Sequence, residues 1–89
     1  MKEIIIKSTK GEFKVLVDNE NFEELNKYKW TINIVNKYIY VYRSFTINKK
    51  KKFIKMHRQI MNIENSKILI DHINHNTLDN RKENLRLCN

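Results

Sequence analysis

Residues 30–35 (WTINIV) and 38–45 (YIYVYRSF) alternate in strand fashion on either side of a two-residue break, Asn36-Lys37. A period of two puts successive side chains on opposite faces of a strand. Two such runs around so short a polar break predict an antiparallel hairpin, although Asn-Lys is a weaker turn signal than Asn-Gly. The chain has 89 residues with one glycine and no proline, so Asn and Asp must supply its tight turns. The same scarcity excludes glycine-rich phosphate cradles, since neither GxxxxGK[ST] nor GxGxxG occurs.

Other segments extend the pattern. Residues 3–7 (EIIIK) and 12–17 (EFKVLV) read as short strands about Gly11. Asp18 or Asn19 can cap a short helix over NFEELNKY, in which Phe22 and Leu25 lie three apart. KFIKM (52–56) reads as a third strand beside the central hairpin. From Met56 the texture changes. HRQIMNI predicts a short helix, and KILIDHIN (67–74) a strand that is apolar up to Ile70 and polar from Asp71. HNTLDN predicts a turn, and RKENLRLCN a final helix. Asn80 and Glu83 have capping-box spacing for that helix, and Leu85 and Cys88 would share one of its faces. The expected fold is α+β, with a mostly β region over 1–55 and a second region over 56–89, packed as one compact domain with a modest core.

The charge is uneven. The net charge is +8; residues 1–48 carry 8 basic and 6 acidic side chains, whereas residues 49–89 carry 10 and 4. Lys49, Lys50, Lys51 and Lys52, followed by Lys55 and Arg58, form the densest basic patch. Like-charge runs are often solvated turns. The uncompensated excess nevertheless favours contact with a polyanion, and these residues, with Arg81, are the candidate DNA-phosphate contacts. A membrane-surface helix is disfavoured, because Phe45, Ile47, Phe53 and Ile54 have strand rather than helical spacing. Apolar runs such as Ile4-Ile5-Ile6 fall far short of the roughly 20 residues that span a bilayer. MKEIIIKSTK lacks the features of a signal peptide, and one cysteine, Cys88, allows no internal disulfide. The expectation is a cytoplasmic protein without a membrane partner.

The stretch richest in chemistry is DHINHNTLDNRKENLRL, residues 71–87. Asp71 is a hard oxygen ligand of the kind that suits Mg²⁺ or Mn²⁺. His72 brings an imidazole, suited to taking a proton from water near neutral pH. A turn starting at this strand exit can aim both groups at one site, and the amide of Asn84 can hold the loop between them.

This stretch, with Met56-His57-Arg58 ahead of it, resembles the HNH endonucleases of the phage- and intron-associated, homing-type branch. The upstream VLVDNENFEELNKYKW and YIYVYR also resemble the region that precedes the motif there, so the likeness runs from about Val15 onward. The resemblance implies a ββα-metal (His-Me finger) unit over 56–89 and a metal-dependent nuclease of mobile-element origin that hydrolyses duplex DNA. It implies that Asp71 binds the divalent metal, Mg²⁺ or Mn²⁺, that His72 is the general base, and that Asn84 fixes the loop. It also implies a second protein ligand beyond Asn89, the nearest residue of a suitable kind, so the metal site within this chain is expected to be incomplete and cleavage slow or absent. The alternative is a non-catalytic DNA-binding remnant.

The remaining candidates have plainer readings. His57 is expected to be structural, with Arg58 the better phosphate contact, and His75 an exposed turn residue. His57, His72, His75 and Cys88 lack zinc-ligand spacing. Tyr38, Tyr40 and Tyr42 share one strand face, which favours packing over base stacking, and Asp79 and Asn80 read as capping residues.

Overall fold

In a computed structural model, described over residues 1–63, 65 and 67–88, the chain is a small α+β domain of mostly antiparallel strands with two helices. β1 (Lys2–Ser8) and β2 (Gly11–Val17) form the first hairpin, and α1 (Asn19–Leu25) follows. β3 (Thr31–Val35), β4 (Tyr38–Ile47) and β5 (Lys50–Lys55) form a three-stranded sheet in that order. α2 (Met56–Met61) leads towards a second two-stranded sheet, β6 (Leu69–His72) with β7 (Leu85–Cys88).

The turns work without glycine at most positions. Asn36 takes φ 57° between β3 and β4, and Asn48 and Lys49 take 52° and 65° between β4 and β5. At the Asn48-Lys49 turn both central residues have positive φ, the geometry that lets a two-residue turn follow the twist of its strands; at Asn36-Lys37 only Asn36 does, and Asn adopts it at low cost. Gly11, at φ 125°, serves the first hairpin.

One apolar core holds these pieces together. Ile4, Ile6, Val15 and Val17 supply the inner face of the first hairpin, Leu25 comes from α1, and Trp30, Val41 and Met56 close the cluster. The indole Nε1 of Trp30 donates to the Leu25 carbonyl at 2.7 Å, so its one polar atom is satisfied on burial. Val41 is buried, which directs the odd-numbered side chains of β4 inward and turns Tyr38, Tyr40 and Tyr42 outward.

The strands, the first helix and the helix after Lys55 lie close to their sequence-based positions. The C-terminal segment does not. RKENLRLCN is a short 3₁₀ turn, Lys82–Asn84, followed by strand β7, rather than a helix. Leu85 to Cys88 pair in register with His72 to Leu69, and the ladder hydrogen bonds outweigh the weak helical preference of so short a run. The expected Asn80–Glu83 capping box is absent, since Arg81 occupies the N-cap and makes no side-chain cap bond. Asp18 supplies a long-range substitute, its carboxylate accepting from the Lys82 amide at 2.8 Å. Among the described residues no helix is long and apolar enough to cross a membrane.

Candidate active site around His72

Strand β6 ends in Asp71 and His72, and alternation sends the two side chains apart. His72 turns inward and is 5% exposed, whereas Asp71 stays partly exposed. The segment from Ile73 to Asn84 then closes over the strand end. The Ile73 amide donates to the Asn84 carbonyl at 2.8 Å, and the His75 amide to the His72 carbonyl at 2.9 Å, with His75 at φ 63°.

Asn84 is the tie of this loop. Its Oδ1 accepts from the Asn74 amide at 3.0 Å, and its Nδ2 donates to Asn74 Oδ1 and to the Asp79 carbonyl, each at 2.9 Å. The buried amide thus uses both donors and its acceptor within the loop. Asp79, 1% exposed, is gripped by Arg81 through Nε and Nη2, each at 2.7 Å, and accepts from Asn74 Nδ2 at 3.0 Å. Those contacts, the Arg81 hydrogen bonds foremost, hold the Asp79 carboxyl below its ordinary value. The loop docks on β2 through two backbone bonds of 2.8 Å, Leu16 amide to Leu78 carbonyl and Asn80 amide to Leu16 carbonyl.

This docking brings Asn80 under the catalytic candidate. Asn80 Oδ1 lies 2.7 Å from His72 Nε2, and both side chains are buried. An amide oxygen only accepts, so with the amide oriented this way Nε2 is the donor, and in the neutral ring the lone pair lies on Nδ1. The His57 ring packs edge-on against His72, with centroids 5.2 Å apart. Burial, and then the charges of His72, Lys55 and Arg58, push His57 down to about 3, so it stays neutral beside its neighbour.

Asp71 faces Arg86 across the β6–β7 ladder, and Arg86 Nη2 donates to its Oδ2 at 2.8 Å. That hydrogen bond is the chief cause holding the Asp71 carboxyl below its ordinary value. A small pocket of about 180 Å³ opens here, lined by Tyr38, Tyr40, Asp71, His72, His75 and Thr77. Tyr40 also borders a wider groove of about 1060 Å³ that runs past Tyr42, Phe53, Lys55, His57 and Ile70.

As a metal site the arrangement is partial. Asp71 is a suitable oxygen ligand, but among the described residues no cluster of three or more His, Cys, Asp or Glu side chains can hold a cation. Asn89, named from sequence as a possible further ligand, lies outside the described residues.

The other sequence candidates are distributed unevenly. The lysine run is exposed but splits across the strand. Lys51 and Lys55 project on the face of Tyr40, Tyr42 and Phe53; Lys50 and Lys52 project on the other. Lys49 occupies the turn. Arg58 spends two donors on the carbonyls of Ile68 and Asn65, at 3.0 and 2.7 Å, and so braces the approach to β6. Arg81 is engaged by Asp79 and, at 2.6 Å, by Glu83. Both arginines therefore meet protein partners where phosphate contacts were expected.

Sequence reasoning missed Asn80 as the partner of His72 and Asp79 as the anchor of the loop. Their capping composition was visible; the fold contact that puts them beneath β6, through Leu16, has no local signature. No protein-family model, curated protein or solved structure matches this chain.

Proposed function

We propose that this chain is a DNA endonuclease of the HNH type, from a phage or mobile-element setting, hydrolysing a phosphodiester in duplex DNA. In this reading β6 and β7 are the two strands of a ββα-metal unit. One observation carries it: a buried imidazole at the end of a strand, held at Nε2 by Asn80 and adjoining a carboxylate at the mouth of a pocket.

His72 is the general base. Its Nδ1 lone pair takes a proton from water as the water oxygen bonds to phosphorus and the bond to the leaving 3′ oxygen breaks. Asn80 sets the tautomer, and Asn84 and Asp79 fix the loop that carries Asn80. Asp71 is the carboxylate that would hold a divalent cation, Mg²⁺ or Mn²⁺, with further ligands drawn from the substrate or from outside the described residues. Such a cation supplies charge stabilisation at the phosphate.

The Arg86 partner of Asp71 favours a second reading, a DNA-binding domain without catalysis, because an ion-paired carboxylate with no companion ligand among the described residues holds Mg²⁺ poorly. Incubating supercoiled plasmid with Mg²⁺ or Mn²⁺ separates the two, with a gel shift on the same DNA. Nicking supports the nuclease, and a shift without nicking supports the binding domain.

A further inference from the structure

The face of the three-stranded sheet that turns away from the core is a row of aromatic rings and ammonium groups. Tyr38 and Phe53 are 51% and 62% exposed, and Tyr40 and Tyr42 lie half-buried between them. A solvated face on a domain with a modest core gains nothing from rings of this size unless something covers them. The rings are spaced along the sheet: Tyr42 meets Phe53 edge-on at 5.8 Å, and Tyr38 is tilted against Tyr40 at 6.5 Å. Lys55 Nζ sits 4.5 Å from the centre of Tyr40, and Lys51 Nζ 5.6 Å from that of Phe53. Each ammonium thus lies over a ring face, where an arriving base would displace it towards the strand's phosphates, on a chain with a net charge of +8. The row ends at Tyr38 and Tyr40, which also line the pocket of Asp71 and His72.

We propose that this face is a stacking platform for single-stranded DNA, with unpaired bases laid on Tyr40, Tyr42 and Phe53 and backbone phosphates met by Lys51 and Lys55. The charge complementarity selects a polyanion, and the exposed rings select one whose bases are free to leave their own stack. Duplex DNA meets the lysines but offers no base face to the rings. The platform ends beside the pocket that His72 lines. It rests on the nucleic-acid part of the nuclease reading and not on cleavage.

The test is anisotropy of a labelled oligothymidylate of about 10 nucleotides, read against a hairpin duplex over a range of salt. Phe53→Ala and Tyr42→Ala weaken oligothymidylate binding about tenfold each at an unchanged salt slope, and Phe53→Trp restores it. Lys51→Gln and Lys55→Gln each lower the slope by about 0.7, while Lys7→Gln, on β1 outside this sheet, leaves it unchanged. Phe53 is exposed, so its variant keeps the fold even where Tyr42→Ala does not. Oligothymidylate affinity that survives both aromatic substitutions overturns the platform and leaves the duplex-binding reading standing. Failure of the parent chain to bind either DNA overturns both.

Discussion

Asn80 Oδ1 meets His72 Nε2 at 2.7 Å, and neither side chain has access to solvent beyond a few per cent of its surface. The contact fixes which imidazole nitrogen is free, and so makes Asn80 a positioning residue for the proposed base. Asn80→Ala removes that constraint. The ¹⁵N shifts of His72 are expected to move from a single Nε2–H tautomer to a mixture, at unchanged DNA affinity. A His72 that keeps one tautomer in the variant contradicts the positioning role.

Asn84 holds the loop by three hydrogen bonds to Asn74 and Asp79. Truncation leaves the Asp79 carbonyl and the Asn74 amide unpartnered, at a cost of about 1–3 kcal/mol. Asn84→Ala should lower the urea midpoint accordingly and raise amide exchange over residues 73–80. A variant that unfolds with the parent and keeps its exchange protection speaks against the tie.

His57 predicts a pH dependence of stability. Its imidazole is neutral in the fold down to about 3, against an ordinary value of 6.5. Between those values the unfolded chain binds a proton that the folded chain does not, so stability falls as pH drops, by up to about 1.4 kcal/mol per pH unit. The stabilising effect is fully present above 6.5. His57→Leu removes the titration, and urea unfolding from pH 6.5 to 4.5 should then show a flatter slope. An unchanged slope rules out His57 as its source.

Arg81, a candidate DNA contact from the sequence, is the partner of a buried carboxylate. Arg81→Gln should lower the melting temperature, because Asp79 is left charged and underpaired. It should leave the salt slope of DNA binding unchanged, since the guanidinium already has protein partners. A slope that falls by a full contact, with melting unaffected, restores Arg81 to the interface.

The legible parts of this fold are those that local chemistry dictates. The alternation of residues 30–45 and the Asn-rich turns gave the sheet, and the exit of a strand at Asp71-His72 gave the candidate centre. What local pattern hides is what long-range pairing decides. Leu85 to Cys88 form a strand only because β6 offers its edge, and Asn80 reaches His72 only because Leu16 seats the loop. The lysine run shows the same limit: read as one patch, it divides across two faces once Lys52 and Lys55 take their places opposite Phe45 and Tyr42.

The most direct test of the central claim compares the parent chain with His72→Ala on supercoiled plasmid in Mn²⁺, whose geometric demands are looser than those of Mg²⁺. Both proteins should shift the plasmid equally in a gel. Slow conversion to nicked circles is expected for the parent, and none above background for His72→Ala. Equal nicking by the two proteins, or no nicking by a parent chain that binds the DNA fully, contradicts the assignment of His72 as the catalytic base.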